Sequence, residues 1–509
     1  MKSENVITET KSLCPKCLKI LPATIFERDN KVWIKKRCQK HGEIEDLYWG
    51  DYEMYERAKK WAHDGKGTLN PNIKIKGLCP QSCGLCKMHK SHTALANIVV
   101  TNRCDLQCWY CFFYAKKMGY VYEPSLELIR QMLKTLKAER PVACNAVQLT
   151  GGEPCMRNDL IDIIKIASEE GFRHVQLNTN GIRLSKNLDL ALKVREAGVN
   201  TLYLSFDGVS KKTNPKNHFE IPGVLENCRK AGLGIVLVPT VINTVNDHEV
   251  GDILKFGLKN IDVIRGVDYQ PVSLVGRITK AERKKLRITI PDVIEKIEQQ
   301  TSGMLVKEDW YPVPTVTAIT HFIEAFTGKP QYEFTAHFAC GMATYLFKDG
   351  SKIIPITRFV DVEGLMEYLN ESAKEIQNGK SKYLIGARML FKLGSFIDKN
   401  KQPNGLNLGR ILYGVLRKKD YTSLRKFHHK SLFVGMMHFQ DLYNYDIERV
   451  KRCCIHYATP DGKVVPFCAF NVIPQWYRDK IQKKYSLSIK GWERKTGKKL
   501  KDDLYIRKV

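Results

Sequence analysis

An α/β fold built on a parallel sheet is the architecture this sequence predicts, and three observations carry it. Apolar runs begin near Ile98, Val147, Val175, Leu202, Ile235 and Val263, each followed by an amphipathic segment. Repeated β-then-α units of this kind make parallel sheets. The chain has 509 residues with 43% hydrophobic content, enough to bury a large core and to carry smaller attached modules. Its 16 cysteines are grouped before, within and after the alternating region, and grouped thiols point to metal.

Residues 1–60 form a small module. Cys14-Pro-Lys-Cys17 and Cys38-Gln-Lys-His41 make two knuckles, separated by strand-forming residues such as Ile25, Phe26, Val32, Trp33 and Ile34. Three thiolates and one imidazole suit a single tetrahedral ion, zinc or iron. Residues 61–95 carry Cys79, Cys83 and Cys86, spaced Cys-x3-Cys-x2-Cys after a loop containing Pro, Lys and Gly. Residues 96–280 hold the six strand–helix units. The first strand, Ala96 to Asn102, leads directly into Cys104, Cys108 and Cys111, which repeat the same spacing. Three thiolates in eight residues can hold three irons of a [4Fe–4S] cluster and leave the fourth open for chemistry. The strand before Thr150 is followed by Gly151-Gly152-Glu153-Pro154; two glycines allow close approach to a ligand, and the Glu can accept charge-assisted bonds from an ammonium. Asn178, Ser205 and Asp207 stand at later strand ends.

Residues 281–435 read as a helical, basic region. Between Gly379 and Lys430 there are thirteen Lys or Arg and two acids, with Leu384, Ile385, Leu390, Phe391 and Ile397, then Leu408, Ile411, Leu412, Val415 and Leu416, at helical spacing. Such a segment suits an anionic membrane surface or an ordinary core-facing helix. Two segments in the tail parallel one another. Cys340 precedes a strand, the Asp349-Gly350 turn and a second strand; Cys454 precedes the same pattern around Asp461-Gly462, closing at Cys468 in residues 436–509.

Net charge is +28, which attracts polyanions. No apolar run approaches the length of a membrane span, and the first residues lack a signal-peptide core. These features predict a cytoplasmic protein, peripheral at most to a membrane, whose cysteines are reduced and metal-bound rather than in disulfides.

The Cys104–Cys111 loop, with Tyr110 before its last cysteine, resembles that of the radical S-adenosylmethionine (SAM) enzymes. The resemblance implies a partial, TIM-like (β/α)6 barrel, a SAM-binding [4Fe–4S] cluster on Cys104, Cys108 and Cys111, and SAM contacts from Tyr110, Gly151, Gly152, Glu153, Asn178, Ser205 and Asp207. It further implies cleavage of SAM to a 5′-deoxyadenosyl radical that abstracts hydrogen; the cofactor carries that reactivity, and no side chain is singled out as acid, base or nucleophile. The two tail segments resemble the SPASM-like hairpins that follow many such barrels. Cys79, Cys83, Cys86, Cys340, Cys453, Cys454 and Cys468 are then the ligands available to two auxiliary [4Fe–4S] clusters, seven thiols where eight would fill both. The whole arrangement of cysteine groups, with a rubredoxin-like or zinc-ribbon-like module in front, is similar to that of archaeal tetraether lipid synthases, with His41 in place of a fourth rubredoxin-like cysteine. This implies coupling of the terminal methyl carbons of diether phospholipid chains, contact with anionic membrane lipid and an external one-electron donor. Similar sequences are also read as methylases of a 7,8-dihydropterin precursor, which is the alternative. RNA modification and simple electron transfer are further alternatives; no RNA-binding module is visible, and nucleic acid is not the expected partner.

Overall fold

The N-terminal module is a four-stranded antiparallel sheet, β1 (Asn5–Leu13), β2 (Ile20–Arg28), β3 (Lys31–Cys38) and β4 (Gly42–Trp49), paired in chain order and followed by helix α1 (Tyr52–Lys59). Asp29 and Asn30, both at positive φ (56° and 55°), make the tight turn between β2 and β3. β3 alternates as a half-buried strand should, turning Val32, Ile34, Lys36 and Cys38 inward. The buried Lys36 docks the module: its Nζ donates to Ser12 Oγ (2.8 Å) and to the carbonyls of Leu442 (2.9 Å) and Tyr443 (3.0 Å). Burial pulls its pKa down to about 7. Asp46 of β4 pairs with Arg283 and Arg287, and Arg287 pairs in turn with the fully buried Asp441. The module is therefore fastened to the main body by desolvated charges, each of which would be costly to leave alone.

In this computed structural model residues 4–111, 113, 115–275, 278–406 and 431–507 are described. The main body alternates as expected: β5 (Leu95–Thr101), α2 (Leu126–Lys137), β6 (Ala146–Gly151), α3 (Leu160–Glu169), β7 (His174–Thr179), α4 (Leu188–Ala197), β8 (Val199–Ser205), α5 (Ile221–Ala231), β9 (Gly234–Val238), α6 (Val250–Lys259) and β10 (Ile264–Pro271). Neighbouring strands in this series pair in parallel. Each helix covers the sheet with an apolar stripe. In α2, capped by Ser125 on Leu128 N, the stripe is Ile129, Met132, Leu133 and Leu136.

The sheet does not end at six strands. Beyond α7 (Ile290–Gln300) and α8 (Thr317–Thr327) come β11 (Gly341–Asp349), β12 (Lys352–Pro355), α9 (Val362–Gln377), α10 (Lys382–Lys392), β13 (Ser431–Met437), β14 (Ile455–Ala458) and β15 (Val464–Pro466). β13 adds in parallel to β10 and β14 in parallel to β5, so both ends of the six-stranded series are extended by distant chain. The hairpins foreseen around Asp349-Gly350 and Asp461-Gly462 form, β11 with β12 and β14 with β15, but as the outer parts of the central sheet rather than as a separate tail. Residues 281–435 are accordingly mixed, contributing strands as well as helices. A strand reads its partner through backbone pairing and side-chain packing, neither of which is local in sequence.

In α10 the core-facing half of the helix reading holds for Ile385, which is buried, as is Ile397 beyond it; Leu384, Leu390 and Phe391 are 74%, 39% and 90% exposed. Leu408, Ile411, Leu412, Val415 and Leu416 lie outside the described residues.

Candidate functional site

The carboxyl ends of β5, β6, β7 and β8 lie side by side, and each emits one of the sequence-predicted segments. The loop after β5 carries Cys104, Cys108 and Cys111, each partly exposed, and desolvation raises their thiol pKa values, that of Cys111 to about 11. The backbone N–H groups of Leu106 and Phe113 point at Cys104 Sγ and Cys111 Sγ (3.4 Å each). Three thiols on one loop, two of them with amide hydrogens aimed at sulfur, form a donor set that fits an iron–sulfur cluster with one open iron.

Gly151, Gly152 and Glu153 brace this loop. Gly152 N donates to Thr101 O (2.8 Å) and Glu153 N to Arg103 O (2.7 Å). A Cβ on Gly151 would lie 2.0 Å from Thr101 O, and one on Gly152 2.0 Å from Arg103 O. The glycines are thus required by contact with the protein's own cluster loop, not only by a ligand. The Glu153 carboxylate is also committed. It accepts from Cys155 N (3.0 Å), Thr179 Oγ1 (2.8 Å) and Asn180 N (2.7 Å), tying β6 to the end of β7. Burial first, then the nearby Asp105, pushes its pKa up to about 7. Both oxygens of the Glu153 carboxylate are therefore engaged by the fold itself, one by Cys155 N and Thr179 Oγ1 and the other by Asn180 N.

Asn178 Nδ2 donates to Thr150 Oγ1 (3.1 Å). Ser205 and Asp207, at the end of β8, converge on a residue the sequence reading missed. Lys216 Nζ lies 2.5 Å from Ser205 Oγ, 2.6 Å from Asp207 Oδ2 and 3.0 Å from Tyr110 Oη. The Tyr110 hydroxyl also donates to Asp207, and Thr240 N donates to Asp207 Oδ1 (3.1 Å). Tyr110 therefore enters the site through its side chain. A buried ammonium at these strand ends can bind a carboxylate, with Asp207 balancing its charge. Asn217, equally unforeseen, donates to Asn180 O (2.7 Å) and Ser205 O (2.8 Å), joining the ends of β7 and β8. Neither has a sequence signal: both sit in a loop among several other lysines and asparagines.

The structure brings the remaining cysteines into three groups. Cys14, Cys17, Cys38 and His41 have ligand atoms within 4.8 Å of one another. The Cys17 and Cys38 sulfurs are 3.8 Å apart. Two sulfurs each ~2.3 Å from a tetrahedral ion stand ~3.8 Å apart, so this set fits one ion. Cys79, Cys83 and Cys86 share a loop anchored by a bond from Cys83 N to Tyr477 Oη (2.9 Å). Cys340, Cys453, Cys454 and Cys468 come within electrostatic reach of one another, with Arg449 Nε donating to Cys340 Sγ (3.3 Å). Tyr445 touches both of these last two groups electrostatically. Cys144, Cys155 and Cys228 are core residues. A cavity of ≈ 740 Å³ is lined among others by Pro15, Met118, Tyr120, Leu274, Asn471 and Arg478; its lining includes neither the Cys104–Cys111 loop nor Gly151–Glu153, Ser205 or Asp207.

Residues 98–257 match the radical SAM superfamily, and residues 6–50 match the HMPTM N-terminal zinc ribbon domain. A 7,8-dihydro-6-hydroxymethylpterin dimethyltransferase of Methanocaldococcus jannaschii is 47% identical over 96% of this chain and 97% of its own length. A GTP 3′,8-cyclase of Aquifex aeolicus is 31% identical over 35% of this chain and 57% of its own. Among solved structures, a radical SAM methyltransferase from Sphaerobacter thermophilus is 13% identical, covering 60% of this chain and 76% of its own, with a TM-score of 0.30. The chain belongs to the radical SAM superfamily, in the same family as the M. jannaschii protein. It is a radical SAM enzyme, and its likeness to that relative favours the pterin alternative over lipid coupling. No helix among the described residues is long and apolar enough to cross a membrane.

Proposed function

We propose that this chain methylates a 7,8-dihydropterin, with 7,8-dihydro-6-hydroxymethylpterin as the substrate class. The observation that carries the reading is the 47% identity to the M. jannaschii dimethyltransferase across 96% of the chain, zinc ribbon included. The cavity supports it: ≈ 740 Å³ is within the range of sites for small, drug-sized ligands. When bound, the [4Fe–4S] cluster and one SAM would supply the 5′-deoxyadenosyl radical, with methionine as the other product, and a second SAM would supply the methyl group, leaving as S-adenosylhomocysteine. The protein's own residues orient and enclose. The Gly151–Glu153 segment holds the cluster loop in place, Lys216 offers a cation for the SAM carboxylate, and Arg478, which lines the cavity, stands over the Phe113 ring (5.4 Å).

A second reading, coupling of diether lipid chains, is favoured by one observation. α10 presents Tyr383, Leu384 and Phe391 at 75%, 74% and 90% exposure, among Lys380, Lys382 and Lys392, a surface suited to an anionic bilayer. The two are separated by one experiment. Reconstituted protein is incubated anaerobically with SAM, a reductant and either the dihydropterin or a diether phospholipid, and products are read by mass spectrometry. Methylated pterin with deoxyadenosine is the expected result. Deoxyadenosine with coupled lipid and an unchanged pterin overturns the pterin reading.

A further inference from the structure

Away from the cysteine groups, three side chains from separate parts of the chain converge: His63 in the loop after α1, His321 on α8 and Glu333 in the loop that follows α8. Their ligand atoms all lie within 4.8 Å of one another, the two imidazole rings meet edge to face at 4.6 Å, and His321 Nε2 stands 3.6 Å from Glu333 Oε1. The geometry points to a second mononuclear metal site, a two-histidine, one-carboxylate set for a divalent ion of the zinc type. It is independent of the pterin reading.

Three features support it. First, the donors are those of an open transition-metal site: two imidazoles and a carboxylate leave further positions free, and oxygen or nitrogen atoms ~2.1 Å from one tetrahedral ion stand roughly 3.4 Å apart, near the observed His321–Glu333 separation. Second, Glu333 is held as a ligand should be. It is buried; its Oε2 accepts from Lys66 N (2.9 Å), its backbone N–H donates to His92 Nε2 (3.1 Å), and only Oε1 faces the histidines. The loop after α1 is pressed onto it, since a Cβ on Gly65 would fall 2.7 Å from Glu333 Oε2. Such outer contacts fix a ligand's orientation. Third, a cavity of ≈ 360 Å³ lined by His63, His321, Glu333, Asn370 and Gln377 opens beside the three, giving room for water or a small ligand on the ion. The charged neighbours are largely paired with one another: Lys66 with Glu324, and Asp64 with Lys90 and Arg452.

The full-length protein, with its clusters reconstituted and the Cys14–His41 site filled with zinc, is titrated anaerobically with Zn²⁺ by calorimetry and separately with Co²⁺. One further equivalent of each is expected. The Co²⁺ complex should show visible d–d bands with no added thiolate-to-metal charge transfer, because its donors are N and O. Glu333→Gln keeps the side-chain shape and should weaken binding at least tenfold, and His63→Ala, at a half-exposed position, should do the same with iron content unchanged. Absence of the further equivalent overturns the site. So does equal binding by both variants, or a Co²⁺ spectrum dominated by thiolate charge transfer.

Discussion

Replacing Gly152 with alanine places a methyl carbon 2.0 Å from Arg103 O and 2.6 Å from Arg103 C, both backbone atoms. Real Cβ contacts are not found below 3.0 Å, so the two segments must separate by at least 1 Å (3.0 Å less 2.0 Å). The displacement falls on the Thr101–Arg103 stretch that leads into Cys104 and stretches the two bonds, 2.8 and 2.7 Å long, that strap the loop down. A misplacement of about 1 Å in a reacting constellation costs on the order of 100-fold in rate, equivalent to about 2.7 kcal/mol of barrier. The assay is anaerobic deoxyadenosine formation from SAM under saturating reductant, normalised to iron content so that the number reports orientation rather than cluster loss. Gly394→Ala, where a Cβ meets nothing within 4 Å, is the control and should leave the rate unchanged. If Gly152→Ala cleaves SAM within about threefold of the parent protein, the strap does not position the cluster loop and the reasoning fails.

Two other outcomes follow from buried charge. Lys216→Met should weaken SAM binding about tenfold or more and lower thermal stability, because Asp207, with a side chain only 7% exposed, loses its ion-pair partner among the described residues; stranding a buried charge costs about 3–5 kcal/mol. An unchanged melting temperature together with unchanged SAM affinity by equilibrium binding would refute that role. Burial pushes Glu139 from an ordinary 4.5 up to about 7, against the bonds it accepts from Thr93. The folded state therefore holds a proton that the unfolded chain releases near 4.5, so this contribution is fully present below pH 4.5 and is lost as pH rises to about 7. Glu139→Gln, which cannot ionise, should raise the melting temperature at pH 8 relative to the parent and show a smaller advantage at pH 5; a pH-independent difference would contradict this.

Much of the chemistry was legible from residue spacing alone, because it depends on what a short stretch of chain can place together. Cys104, Cys108 and Cys111 share one loop whatever surrounds it, and the knuckles Cys14-x2-Cys17 and Cys38-x2-His41 announce a tetrahedral site before any sheet is drawn. Six strands showed through their apolar runs because strands buried on both faces have few polar positions. Only the tertiary structure decided the rest. It drew β13 and β14 into the sheet beside β10 and β5, set the Gly151–Glu153 segment against the cluster loop, and engaged both oxygens of the Glu153 carboxylate with the fold itself. It brought Lys216, one lysine among many, onto Ser205, Asp207 and Tyr110, and closed His63, His321 and Glu333 around a common point. The reason is physical. Ligands spaced a few residues apart are held by the local backbone, whereas a charge buried beside its partner, or an imidazole facing one from more than 250 residues away, exists only once packing has excluded water and fixed the distance.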